Sequence, residues 1–205
     1  DAIGPVRREV TPDLFAALVN CIVGQQISTK AQVTIWRRLT GAFGDITPEA
    51  MAACPDDELQ QFGLSFRKVG YIKGAAERVV AGELDLKGLA DLPDEEVCRR
   101  LSALPGIGVW TAEMLMTFSM QRPDIMSYGD LAILRGLRML HHHRRITPEL
   151  FAKYRRRYSP YGSVASLYLW EIAGGAVPGL RDWAPKGGGA KRPRPGGAKG
   201  GSRGD

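Results

Sequence analysis
The sequence predicts an all-α fold with short connections and one compact core. Three observations carry that expectation. The triplets Thr11-Pro12-Asp13, Thr47-Pro48-Glu49 and Thr147-Pro148-Glu149 repeat one helix-start signal: a capping hydroxyl, proline at the first helical position and an acid in the first turn. Apolar residues recur at helical spacing, as at Leu14, Phe15, Leu18, Val19 and Ile22. No stretch alternates with period two between turn signals, so no strand is expected.

Taken in order, Thr11 opens a first helix whose apolar stripe reaches Ile22, and Ser28 caps a second running to about Phe43. Thr47 opens a third. Further helices are expected over 56–62, 65–81, 94–103, 107–119, 130–141, 147–158 and 163–173. The stretch 186–205 is Gly, Pro, Lys and Arg without a large apolar side chain, so it cannot bury a core of its own. Residues 1–185 are therefore read as the folded domain and 186–205 as a disordered basic tail.

Charge is placed unevenly. The tail holds six Lys or Arg against Asp205, a net +5 of the formal +6, and leaves the body nearly neutral. A pI near 9.4 favours a polyanionic partner, yet affinity in the body must come from patterning. Cys21, Cys54 and Cys98 are odd in number and far apart, which fits neither a disulfide framework nor a metal knuckle and points to a reduced, cytosolic setting. No apolar run approaches the ~20 residues of a membrane span and no secretory signal opens the chain, so no membrane partner is expected.

The chemistry concentrates between residues 104 and 130. Leu104-Pro105-Gly106-Ile107-Gly108 lies between two predicted helices: Pro105 stops the first, the glycines permit angles other residues resist, and the next helix starts at once. Its unpaired N–H groups then point out of the turn. Such a turn holds an anion, and a nucleic-acid phosphate is the repeating anion that needs no side-chain recognition. A bare Gly-x-Gly is more often a plain tight turn; its setting between helices is what strengthens the reading.

The following helix carries Ile107, Trp110, Met114 and Phe118 along one stripe. Ile107 and Phe118 are read as core, whereas Trp110 and Met114 lie near enough to the turn to line a pocket, Trp110 with a ring suited to stacking on a base. Asp130 follows Gly129 at a helix start, where an Asp is ordinarily an N-cap. It also shares a face with Ile133, Leu134 and Leu137, with Arg135 and Arg138 on the other side, and a carboxylate on an apolar face needs partners or a task. The helix N-terminus favours its ionised form, the form that stabilises a developing cation. His141, His142 and His143 point in different directions and are read as a helix end that complements the dipole and joins Arg144 and Arg145 in a basic patch, rather than as metal ligands.

The hairpin, the Ser127-Tyr128-Gly129 approach and Asp130 resemble the helix-hairpin-helix-GPD superfamily of base-excision DNA glycosylases, in particular its 3-methyladenine DNA glycosylase II (AlkA-like) branch. The resemblance runs over roughly residues 11 to 174. It implies a central DNA-binding cleft, Asp130 as the catalytic carboxylate, and Gly106, Ile107 and Gly108 as the phosphate grip. Ile22-Val23-Gly24-Gln25-Gln26-Ile27-Ser28 resembles the loop that fills the gap left by an extruded base, with Gln26 as the wedge and Gln25 beside it. Ser166-Leu167-Tyr168-Leu169-Trp170 resembles the family's C-terminal helix, which makes Trp170 a base-pocket wall together with Trp110, Met114 and Tyr128.

Further implications follow from the same likeness. Lyase members of the superfamily carry a lysine nucleophile where this chain has Trp110, so a monofunctional enzyme without Schiff-base chemistry is expected. The four-cysteine cluster of some relatives has no counterpart. Nothing before Thr11 could supply the additional N-terminal β domain of two-domain relatives. Met114 stands where such relatives can have an aromatic, and Ser127-Tyr128-Gly129 replaces a Pro-acid approach, which implies a more open pocket and a broader substrate range. No cofactor is required, although a structural Na+ or K+ on hairpin carbonyls near residues 103 to 108 is implied. The expected partner is double-stranded DNA with a damaged base, bound by a monomer in the bacterial cytosol. Two rivals stand beside this reading: a glycosylase for uracil or another deaminated base, and a non-catalytic helix-hairpin-helix DNA-binding module in which Asp130 is only a cap. The roles of Glu113 and Tyr128 stay open.

Overall fold
Helix-start chemistry sets most of the architecture. In a computed structural model, which describes residues 2–185, the elements are α1 (Leu14–Gly24), α2 (Thr29–Phe43), α3 (Pro48–Ala53), α4 (Asp56–Gln61) and α5 (Phe66–Val80), then a 3-10 turn (Gly88–Asp91). They continue with α6 (Asp94–Ser102), α7 (Val109–Phe118), α8 (Leu131–His141), α9 (Pro148–Tyr158) and α10 (Gly162–Gly174). No strand occurs among the described residues. The tail expected at 186–205 lies outside the described residues.

Thr47 and Thr147 cap as expected, accepting from Ala50 N at 3.2 Å and Leu150 N at 3.3 Å. Thr11 does not. Asp13 caps α1 instead, its Oδ1 accepting from Ala16 N at 2.8 Å, while the Thr11 N–H donates to Phe118 O at 3.1 Å. A carboxylate is as good a cap as a hydroxyl, and Thr11 is committed to the end of α7, so the helix begins two residues late.

Burial divides the helices into two cores. Leu18, Ile22, Leu39, Met51, Ile72, Leu101 and Leu115 close the larger one, among α1 to α7. Met126, Ile133, Leu137, Phe151 and Leu169 close the smaller, among α8 to α10. Gly136 lets α8 and α10 meet backbone to backbone: a Cβ there would fall 2.4 Å from Leu169 O. The loop from α7 to α8 crosses between the cores and is fastened to α10. Asp124 accepts from Gly162 N at 2.9 Å and from Ser159 Oγ at 2.6 Å, the Ser163 hydroxyl accepts from Ile125 N at 2.9 Å, and Ser166 Oγ donates to Ile125 O at 3.1 Å. That fastening fixes the approach to Asp130.

Candidate active site
The two starts of α7 and α8 meet at the seam of the cores. The turn before α7 closes through Ile107 N donating to Leu104 O at 3.0 Å, with the Ile107 side chain buried in the larger core as an anchor. Its contribution to the surface is therefore backbone. Gly106 has φ +83, and a Cβ there would lie 2.3 Å from the Tyr71 ring, so both dihedral and space demand glycine. Gly108 differs from expectation: its φ of −87 is ordinary, and a Cβ would meet nothing within 4 Å. What glycine leaves at 108 is open space in front of α7, whose first turn no side chain caps.

Asp130 is the N-cap of α8 and also faces α7. Oδ1 accepts from Ala132 N and Ile133 N, both at 2.9 Å, while Oδ2 accepts from Trp110 Nε1 at 2.9 Å. The residue is 7% exposed. Helix cap and contact with α7 are thus the work of separate oxygens, which together take three N–H donors. Trp110 is 49% exposed, with an edge on Asp130 and the rest of the indole free to meet a ligand.

Of the expected pocket walls, Trp110 and Met114 lie on α7 and Trp170 on α10. Trp170 stacks on Phe118, ring centroids 5.6 Å apart at 22°. Phe118 was expected in the core; it is only half-buried and backs Trp170, because it ends α7 at the seam instead of inside. Met114 is half-buried one turn from each. Tyr128 goes elsewhere. Its ring meets Phe151 edge-on at 5.2 Å, its hydroxyl donates to Ile146 O at 3.5 Å, and it lines a concavity of about 510 Å³ with Val109, Glu113 and Arg155 on another flank of α7. One residue of register around the chain turn before α8 separates it from the Trp110 wall.

Glu113 lies behind the loop that carries Asp130. Burial pushes its carboxyl above the ordinary range, and the Asp130 charge adds to the rise, against lowering by the Ser127 hydroxyl and the Arg155 charge. None of the three cysteines is activated: burial holds all of them up, Cys21 at about 11.

The Gln loop sits against the hairpin. Gln25 Nε2 donates to Gly106 O at 2.7 Å, and Gln26 is exposed with φ +55, the left-handed region. Lys68, which sequence reasoning missed, reaches from the first turn of α5 to Val23 O at 2.7 Å with the side chain buried. The available signal was its place in an otherwise apolar stripe with Val69 and Ile72. The histidine reading needs correction. His141 stacks on Tyr154 at 4.2 Å and hydrogen-bonds Tyr158 Oη at 2.8 Å, and burial lowers its pKa, so the ring packs onto the smaller core instead of standing free in a basic patch. Arg138 does lie away from the site, paired through two 2.7 Å bonds with Asp182.

Residues 19–160 match the model of a family described as HhH-GPD superfamily base excision DNA repair protein. The chain is 32% identical over 176 residues to DNA-3-methyladenine glycosylase 1 of Schizosaccharomyces pombe, covering 82% of this chain and 76% of that protein. A crystal structure of a DNA-3-methyladenine glycosidase from Bacillus halodurans superposes with TM-score 0.76 at 38% identity, covering 82% of this chain and 79% of that one. An S. pombe 3-methyladenine DNA glycosylase in complex with abasic DNA superposes with TM-score 0.68 at 30% identity, over 82% and 84%. The chain spans 58% of the length of each of two longer bacterial relatives.

Proposed function
The chain belongs to the HhH-GPD superfamily of base excision DNA repair proteins, and we propose that it is a monofunctional DNA glycosylase for alkylated purines such as 3-methyladenine. The observation that carries the reading is the Asp130 carboxylate, buried, triply hydrogen-bonded and joined to a half-exposed indole beside the hairpin turn.

Alkylation gives the purine a positive charge and makes it a good leaving group. As the N-glycosidic bond breaks, its electron pair leaves with the base and the sugar becomes oxocarbenium-like. Asp130 stabilises that cation and orients the water that adds to it. Trp110 and Trp170, backed by Phe118, are faces on which a cationic base stacks, which selects for charge without base-specific hydrogen bonds. Trp110 offers no amine, so no Schiff base forms at that position and strand cleavage is absent. Gly106 and Gly108 present backbone N–H groups to a phosphate, Ile107 anchors the turn between them through its buried side chain and its N–H on Leu104 O, and Gly108 leaves room for the strand. Gln26 fills the gap in the duplex, with Gln25 behind it. The partner is a damaged duplex, bound by a monomer acting on DNA in the bacterial cytosol; no helix among the described residues is long and apolar enough to cross a membrane.

A monovalent cation fits the hairpin. Leu104 O and Gly106 O each spend one lone pair, on Ile107 N and Gln25 Nε2, and keep a second for Na+ or K+. Its contribution would be to hold the turn. Exchange of Na+ and K+ for choline then weakens duplex binding without changing the melting temperature by more than a few degrees.

The decisive experiment is base release from duplexes carrying 3-methyladenine, 7-methylguanine, hypoxanthine, 1-methyladenine or uracil. Release of the alkylated purines, lost in Asp130→Asn with DNA binding retained, supports the proposal. Release of uracil alone would assign the deaminated-base reading, and no release from any lesion would leave a DNA-binding module.

A further inference from the structure
The Gln loop is more firmly held than an exposed loop needs. α1 ends at Gly24; the Gln25 N–H closes on Ile22 O at 3.2 Å, and no basic residue of the last turn serves the carbonyls that remain. Lys68, from α5, serves one: the ammonium reaches Val23 O at 2.7 Å with the residue 9% exposed, and it is in no ion pair among the described residues. Burying an ammonium is costly, and the negative end of a helix is one of the few uncharged sites that repays it. One residue beyond Gly24, Gln25 Nε2 holds Gly106 O at 2.7 Å, the carbonyl of the glycine whose dihedral shapes the hairpin. From the other side, Gln32 Nε2 donates to Asn20 O at 3.1 Å and Asn20 Oδ1 at 3.0 Å, and its amide packs where a Gly24 side chain would be. Between these restraints stands Gln26 with φ +55, a conformation that a non-glycine residue keeps only when its surroundings impose it.

We propose that Lys68 and Gln25 are positioning residues for the wedge: Lys68 fixes the end of α1, Gln25 ties the loop to the hairpin, and together they set one spacing between the residue entering the duplex and the turn gripping the phosphate. The inference rests on the glycosylase reading and on Gln26 as the wedge. Neither residue touches the reacting atoms. Their effect is on extrusion, the step that replaces a base pair by Gln26, and not on bond cleavage once a base is in the pocket.

Extrusion can be made easier. With enzyme in excess, single-turnover release of 7-methylguanine is measured from a fully paired duplex and from one with a tetrahydrofuran abasic analogue opposite the lesion, where no partner base is left to replace. Lys68→Met, similar in length but without charge or donor, lowers the rate on the paired duplex by about tenfold, the scale of one lost charge-assisted hydrogen bond, and recovers most of it opposite the analogue. Gln25→Ala shows the same selective pattern with a smaller loss, as does Gln26→Ala. Because Gln25 is only half-buried, its variant carries the comparison if Lys68→Met fails to fold, which circular dichroism and thermal melting report. Equal losses on both duplexes, or wild-type rates in both variants, overturn the proposal while leaving the glycosylase reading intact. A wild-type chain that releases no base from either duplex overturns both.

Discussion
Two turns are tied to the hairpin and the start of α7, and they are held in opposite ways. The turn into α8 fixes Asp130 largely with its own helix: two of the three hydrogen bonds to the carboxylate come from Ala132 and Ile133, the next residues along the chain, in the ordinary geometry of an N-cap. The turn out of α1 fixes Gln26 from a distance, through Lys68 on α5, Gln32 on α2 and the hairpin carbonyl before α7, and leaves the residue in a strained dihedral. A charged group that must stay put is best held by backbone that cannot relax. The Gln26 turn is held by side chains, which set its position while leaving its tip free.

Five substitutions sharpen or break that contrast. The largest effect is expected at Asp130→Asn. Asn caps a helix as well as Asp, so the melting temperature stays near wild type, yet loss of the full charge lowers single-turnover base release by at least about a hundredfold. A large drop in stability instead would mean that the turn is not held by its cap. Next come the hairpin glycines, which should part company. Gly106→Ala strains a φ of +83 and drives a methyl into Tyr71, costing about 1–3 kcal/mol in denaturant unfolding, whereas Gly108→Ala leaves unfolding within about 0.5 kcal/mol and weakens duplex binding. Equal behaviour of the two would remove the distinction between a turn glycine and a clearance glycine.

A smaller effect is expected at Trp110→Phe, which keeps a stacking ring and deletes the one donor to Asp130 from outside α8. Base release should fall about three- to tenfold, the worth of one hydrogen bond to a charged group, with binding of an abasic duplex unchanged. The smallest concerns Glu113, whose pKa is raised in the folded state by burial. A raised carboxyl pKa leaves the fold most stable at low pH, and that stability is lost as pH rises from the unfolded value near 4.5 through the folded one. Glu113→Gln should therefore melt above wild type at pH 8, with the difference closing by pH 4. A variant that melts below wild type at pH 8 and rejoins it on acidification would mean that the lowering influences outweigh desolvation.

The same contrast decides what could be read from the sequence. Asp130 was legible because its restraints are local: a Gly before it, an apolar face after it, and a helix start whose chemistry lies within four residues. The caps at Thr47 and Thr147 were legible for the same reason, and Thr11 misled because its backbone partner, Phe118, is more than a hundred residues away. The Gln loop was visible as a motif, but Lys68 was not, since nothing within α5 announces which carbonyl an ammonium will reach. Gly106 and Gly108 look alike in a Gly-x-Gly pair; only the Tyr71 ring and the open space distinguish them. Tyr128 shows the limit of adjacency. Standing two residues from Asp130 did not turn it toward Trp110.

Asp124, far less conspicuous than Asp130, has a mechanical consequence. By gripping Ser159 and Gly162 it rivets the loop to the start of α10, the helix that carries Trp170. Carboxylate and aromatic wall then travel as one stiff part. Such a part cannot reshape itself around each ligand, so Asp130 and Trp170 keep one fixed spacing whatever binds.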